Sequence, residues 1–213
     1  MKLYTYHRNS ARERVRIALN LKAVAYDYVS APALGHAAYL AVNPQGLMPA
    51  LEIDGRIIAQ STAILEFLEE RYPAPRLLPA DPVLRAQVRA FSQHIACEIH
   101  PLNNHRVRVY LQERLGAEEP QVLAWYRHWI AIGFEALEAA LARREEPWPF
   151  CFGDAPGWAD LHLIPQLRNA RRFDCDLTGY PRLTEIESRC NELDAFHRAR
   201  PEQQPDFSMA KKN

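Results

Sequence analysis

The first 72 residues switch repeatedly between a two-residue and a 3.6-residue hydrophobic period, and this succession constrains the fold more than any other feature of the chain. A short strand is predicted over residues 3–6. A helix is predicted over 12–21, with Val15, Ile17, Ala18 and Leu19 as its apolar positions and Asn9 or Ser10 as its N-cap. A second strand over 24–29 and a short helix over 35–42 follow, and Asn43-Pro44-Gln45-Gly46 reads as a turn. The strongest hairpin signal lies next: residues 50–53, the pair Asp54-Gly55, then residues 56–59. An amphipathic helix over 61–72 closes the series, with Ile64, Leu65, Phe67 and Leu68 on its apolar face and Ser61 as its cap. The predicted order is β-α-β-α-β-β-α.

Pro73, Pro75, Pro79 and Pro82 then punctuate a linker, and no comparable strand pattern follows it. The later periods predict helices over 83–112, 121–142, 158–173 and 183–196. Residues 201–213 are polar and read as a frayed tail. The expected organisation is a small α/β domain over 1–79 and an all-helical domain over 80–213.

Charge narrows the classes of partner. Among 213 residues there are 26 basic and 26 acidic side chains, so the net charge is zero. Split at residue 80, the halves carry +2 and −2, so neither is a basic footprint for nucleic acid or an anionic membrane. No apolar run reaches bilayer-spanning length, and the alternating, charged start is unlike a secretory leader. The four cysteines, Cys97, Cys151, Cys175 and Cys190, show neither CxxC nor zinc spacing, so buried free thiols in a cytoplasmic protein are expected. Of the 26 cations, 22 are arginine, whose planar fork grips carboxylates bidentately. A bias toward arginine codons explains most of them; a few could hold a small anion.

Three features of the first half point to chemistry. Arg8-Asn9-Ser10-Ala11 opens a helix directly after a strand, and free N–H groups at a helix start favour a thiolate over a thiol. The plain alternative is an ordinary N-cap. Leu47-Met48-Pro49-Ala50 sets a proline before a strand, and a cis bond there would let the Met48 main chain pair with an extended peptide ligand. An ordinary proline before a strand reads as well. Gln60-Ser61 marks a second strand-to-helix junction, suited to a carboxylate.

The order and spacing of these features resemble the glutathione transferase superfamily, nearly end to end. Within it the chain resembles the zeta class, which includes maleylacetoacetate and maleylpyruvate isomerases. The supporting stretches are Arg14-Val15-Arg16-Ile17-Ala18-Leu19, Asn43-Pro44, Pro49-Ala50-Leu51, Gln60-Ser61, Arg76-Leu77-Leu78-Pro79, His100-Pro101-Leu102-Asn103-Asn104, Pro165-Gln166 and Ala170-Arg171-Arg172-Phe173. The resemblance implies the glutathione transferase fold, a thioredoxin-like domain followed by a helical one, and a cytoplasmic homodimer. It implies glutathione bound by Ser10, Met48, Pro49, Gln60, Ser61, His100 and Asn104. It makes Ser10, Asn9 and Arg8 the catalytic group, and Arg8, Arg106, Arg172 and His105 the substrate side. The chain departs from the class where the signature opens the helix with Ser-Ser-Cys: here stand Asn9, Ser10 and Ala11. Ser10 remains, and Asn9 can donate through its amide. Gly157-Trp158-Ala159-Asp160 keeps the Asp of an internal capping box with glycine at the cap, and Asp160 is expected to be structural.

The implied reaction turns a conjugated cis double bond trans. A double bond does not rotate, so a thiolate adds, the charge moves into an enolate, the bond turns and the thiolate leaves. Arginines would hold the carboxylates and the developing charge. Arg14 and Arg16 are assigned to packing between the domains. His94 and Glu98 are spaced i, i+4, but a helical metal site there is disfavoured because it needs a third ligand and His100 and His105 point away from the His94 face. Two other readings accompany the isomerase: a general glutathione transferase conjugating electrophiles, and a non-catalytic glutathione-fold binding protein.

Overall fold

A computed structural model describes residues 1–207, and the last part of the expected frayed tail, residues 208–213, lies outside them. The chain forms two compact units, Met1–Leu77 together with the chain from Asn191 onward, and Leu78–Cys190.

In the first unit the elements are β1 (Lys2–Thr5), α1 (Ser10–Leu21), β2 (Asp27–Ser30), α2 (Ala31–Leu34), α3 (His36–Val42), β3 (Ala50–Ile53), β4 (Arg56–Ala59) and α4 (Ser61–Arg71). The strand order is β2-β1-β3-β4, with β1 and β2 parallel and the other pairs antiparallel. The hairpin falls on the predicted residues because Asp54 and Gly55 both take positive φ, 50° and 72°, which a tight two-residue turn requires. Leu3, Leu51, Val15, Ile17, Leu19, Ile64, Leu65 and Leu68 are fully buried and supply apolar packing from sheet, α1 and α4. The second strand starts three residues later than its periodicity suggested, since pairing with β1 begins at Asp27.

The C-terminal segment completes this unit, which departs from a simple split after residue 79. Helix α10 (Asp194–Ala199; α5 to α9 belong to the second unit) and a 3₁₀ turn, Pro201–Gln203, are tied to it by buried polar contacts. The Arg16 guanidinium is fully buried and donates to the carbonyl of Ala199 through Nε at 3.1 Å and Nη2 at 2.9 Å. Asn20 Nδ2 donates to the carbonyl of Ala195 at 2.8 Å. Arg16 therefore serves packing inside this unit. Gln204 and Asp206 are buried while Glu202, Gln203 and Pro205 are exposed, so residues 201–207 pack against the unit through alternate side chains and are not a frayed end. Polar composition misleads there because the buried polar groups have partners: Asp206 accepts from Tyr28 and Ser30, distant in sequence, and Gln204 donates to the nearby carbonyls of Arg198 and Arg200.

The second unit is helical: α5 (Pro82–Gln93), α6 (His105–Leu115), α7 (Glu119–Ala142), α8 (Trp158–Arg172) and α9 (Pro181–Asn191). The long helix predicted over 83–112 is instead broken. A π-helical segment, His94–Ile99, follows α5, and residues 100–104 turn before α6 begins. The apolar period runs on through the break, so it hides the interruption, although Pro101 cannot continue a helical hydrogen-bond ladder. Gly133 of α7 permits the close passage of this segment, because a methyl group there would overlap the Ile99 side chain. The helix expected over 183–196 is likewise two, α9 and α10, interrupted after Asn191.

Asp160 is 1% exposed and accepts from the N–H of Gly157 at 2.8 Å and of Cys151 at 3.0 Å. Burial pushes its carboxyl upward against these donors. Glycine has no side chain to return a bond, so the box at α8 is one-sided. Cys151 and Cys190 are buried, but Cys97 is exposed and Cys175 half-buried, which corrects the expectation that all four thiols are covered. Among the described residues no helix is long and apolar enough to cross a membrane.

Candidate functional site

In the first unit the expected ligand-side residues lie on three junctions. At the start of α1, Asn9 is the N-cap and Ser10 the first helical residue. Asn9 sits at φ 100°, a conformation L-residues rarely adopt, and its Oδ1 accepts from the N–H of Ala11 at 2.9 Å. That engagement leaves the amide Nδ2 as the donor beside the positive end of a 12-residue helix. Ser10 is fully buried, whereas Asn9 is half-buried and Arg8 exposed. The carbonyl of Arg8 accepts from Arg12 Nη1 at 2.6 Å.

The second junction precedes β3. The Met48–Pro49 bond is cis, which decides between the two readings of that proline, and Ala74–Pro75, which nothing in the sequence singled out, is cis as well. The Leu47 carbonyl, one residue before Met48, accepts from Tyr39 OH and from Asn43 Nδ2, each at 2.7 Å. The loop's backbone is thereby fixed by side chains of α3 and its C-cap.

The third junction is β4 to α4. Here the N-cap is Gln60 at φ 72°, not Ser61, and no side chain caps the helix. Ser61 is displaced into the first helical position because the positive φ falls one residue earlier. Its Oγ accepts from buried Arg14 Nη1 at 3.5 Å, while Gln60 Nε2 donates to Gln45 Oε1 at 2.7 Å. The first-turn N–H groups of an uncapped helix suit a carboxylate. A donor amide at one helix start and uncapped N–H groups at another match the thiol and carboxylate ends of a small peptide.

The second unit gathers its own group. Asn104 caps α6, its Oδ1 accepting from the N–H of Arg106 at 3.3 Å. Its Nδ2 lies 3.4 Å from His100 Nε2, which makes that ring nitrogen the acceptor. The two residues meet across the turn rather than on a continuous helix. Trp125 Nε1 donates to the carbonyl of Leu102 at 2.9 Å, and Asn103 Nδ2 to that of Tyr126 at 3.3 Å, so α7 holds the turn in place.

Arg172 lies 5.3 Å from the centre of the Phe173 ring, and Arg108 lies 4.7 Å from the same centre. Tyr126 stacks on that ring at 4.0 Å, and Arg127 Nε donates to the Phe173 carbonyl at 3.0 Å. The structure thus brings Arg172 together with Arg108, not with Arg106. Positions two apart on a helix differ by about 200°, so Arg106 takes another side of α6. His105 and Arg106 are both exposed. Sequence reasoning passed over Arg108, yet its spacing of four from Asn104 was an available signal. Among the described residues no three His, Cys, Asp or Glu side chains are grouped to hold a metal.

Comparison with known proteins places the fold. Residues 3–76 match the family described as Glutathione S-transferase, N-terminal domain. The chain belongs to the zeta class of the glutathione S-transferases. It is 48% identical over 211 residues to a maleylpyruvate isomerase of a Ralstonia species, covering 97% of this chain and 99% of that protein. A holo structure of a bacterial zeta-class maleylpyruvate isomerase superposes with a TM-score of 0.93 at 48% identity, covering 97% of this chain and 99% of the other. A maleylacetoacetate isomerase from Anaeromyxobacter dehalogenans, solved with dicarboxyethyl glutathione and citrate in its active site, gives a TM-score of 0.87 at 40% identity, covering 100% of this chain and 96% of that one.

Proposed function

We propose that this protein is a glutathione-dependent cis–trans isomerase of a maleyl keto acid, maleylpyruvate or maleylacetoacetate, acting as a cytoplasmic homodimer. The observation that carries the reading is full-length likeness to a maleylpyruvate isomerase, 48% identical across 97% of this chain. The likeness runs through both ligand-side groups and not through the thioredoxin-like part alone.

When bound, glutathione supplies the thiolate that adds to the conjugated double bond and departs after rotation. The chain's residues would do the rest. Asn9 Nδ2 and the α1 N–H groups stabilise the thiolate, with buried Ser10 completing the helix start. The Met48 main chain before Pro49 takes the peptide part, and Gln60 with Ser61 and the α4 terminus takes a carboxylate. His100 and Asn104 belong to the glutathione side. Arg8, Arg106 and Arg172 hold the substrate's carboxylates, with His105 beside them, and Arg108 joins Arg172 through Phe173. The net reaction changes no composition, because the thiolate that adds also leaves.

A second reading, a general glutathione transferase, is favoured by Ala11 and Asn9 in place of the class signature's Cys and first Ser. Purified protein with glutathione and maleylpyruvate separates the two. Loss of the cis-substrate absorbance supports the isomerase. No isomerisation, with turnover of a chlorodinitrobenzene-type electrophile, would establish the transferase instead.

A further inference from the structure

The loop that carries Arg8, Asn9 and Ser10 is held from behind by the far end of the chain. Asp206 is 4% exposed. Its Oδ1 accepts from Tyr28 OH at 2.8 Å and its Oδ2 from Ser30 Oγ at 2.9 Å, both on β2. The same Oδ1 stands 3.4 Å from Nδ1 of His7, which is fully buried. The His7 ring packs on Tyr6 at 4.0 Å and edge-on to Phe207 at 5.6 Å. Its main chain is gripped as well: Arg16 donates to the carbonyls of His7 at 2.9 Å and Tyr6 at 3.1 Å, and also to Ala199. Two residues beyond His7 the backbone reaches the positive φ of Asn9. Such a conformation in a non-glycine residue persists only where its surroundings over-determine it. Residues 199–207 supply such support at His7, two residues before Asn9.

We propose that Asp206 is a positioning residue for thiolate stabilisation: it anchors His7, and through His7 the Asn9–Ser10 backbone, so that the Asn9 amide and the α1 N–H groups meet the glutathione sulfur. The proposal rests on the reading that this sulfur lies at the start of α1. The charged and titratable groups facing His7 are Asp206, Arg8, Arg16 and Tyr6. Of these, only Asp206 also ties the loop to β2 through two hydroxyls. Its loss would leave Tyr28 and Ser30 in place but free His7 to shift, and small displacements at a reacting centre are costly.

The test titrates bound glutathione by its thiolate absorbance in Asp206→Ala, alongside glutathione affinity by calorimetry and turnover of maleylpyruvate. The expected result is a bound-thiol pKa raised by about one unit and turnover at neutral pH lowered about tenfold, with glutathione affinity within about threefold of the parent. Tyr28→Phe and Ser30→Ala each remove one anchor, should shift the thiol in the same direction by less, and remain informative should Asp206→Ala fail to fold. Asn9→Gly is the reference variant, because glycine tolerates φ 100° while the amide is lost. A shift with Asn9→Gly but none with folded Asp206→Ala, Tyr28→Phe and Ser30→Ala overturns the role of Asp206. No shift even with Asn9→Gly and Ser10→Ala removes the sulfur from α1, and the proposal falls with its basis.

Discussion

The two ligand-side groups achieve order by opposite means. In the first unit three strand-to-helix or loop-to-strand junctions present main-chain groups for the proposed ligand, and buried side chains work behind them. Arg16, Asp206, Tyr39 and Asn43 fix carbonyls and ring positions there. In the second unit the forks of Arg108 and Arg172 share one aromatic ring. Main-chain geometry tolerates little change in what supports it, whereas stacked arginines keep a flexible stem and can be exchanged at lower cost. The first arrangement suits a ligand common to a whole class of enzymes. The second suits a site whose substrate varies.

The largest expected effect breaks the support of the first group. Arg16→Leu leaves the carbonyls of Tyr6, His7 and Ala199 buried without their donor, and should cost about 3 kcal/mol of stability in urea unfolding. Exposed Arg106→Ala should leave the same unfolding curve where it is. Equal losses from the two would erase the contrast.

A smaller effect sharpens the second group. Arg172→Ala should raise KM for the dicarboxylate about tenfold while glutathione affinity is nearly intact. Arg108→Leu should act in the same direction, and the pair should be non-additive in a double-mutant cycle because both guanidiniums share Phe173. Strict additivity would separate the two arginines.

The smallest effect concerns pH. Burial, opposed by Asp206 and reinforced by Arg8, holds His7 below its usual pKa. The folded state then binds fewer protons than the unfolded one. The penalty is absent above about pH 6.5, grows as pH falls through that value, and levels off below the folded pKa. His7→Phe keeps an aromatic ring between Tyr6 and Phe207, so its unfolding free energy should decline less than the parent's between neutral and mildly acid pH. Parallel declines would show that His7 is protonated alike in both states.

Local rules carried much of the first unit. The Asp54-Gly55 hairpin depends on neighbours in sequence and is located outright; the α1 cap is narrowed to Asn9 or Ser10, and a cis bond at Met48–Pro49 stands beside an ordinary proline until the fold decides for Asn9 and for cis. Ser61 as a cap failed by one residue, since nothing in the sequence marks Gln60 for φ 72°. The π-helical segment stayed hidden because an apolar period does not register one extra residue in a turn. Buried Asp206 was invisible for a different reason: its partners, Tyr28 and Ser30, meet it only in the folded chain. Arg108 was passed over because charge alone does not tell two arginines of one helix apart; the side they face does.

The first unit is built from two stretches that lie at opposite ends of the polypeptide, with Leu78–Cys190 between them. During synthesis, at about 5–20 residues per second, the ribosome must deliver the whole helical unit before α10 and Asp206 emerge. The Asn9 loop therefore waits about 10–40 seconds for the pieces that lock it. A nascent chain of this protein would hold the Asn9 loop without its supports until α10 and Asp206 have left the exit tunnel, so on the proposed reading thiol activation follows the helical unit rather than preceding it.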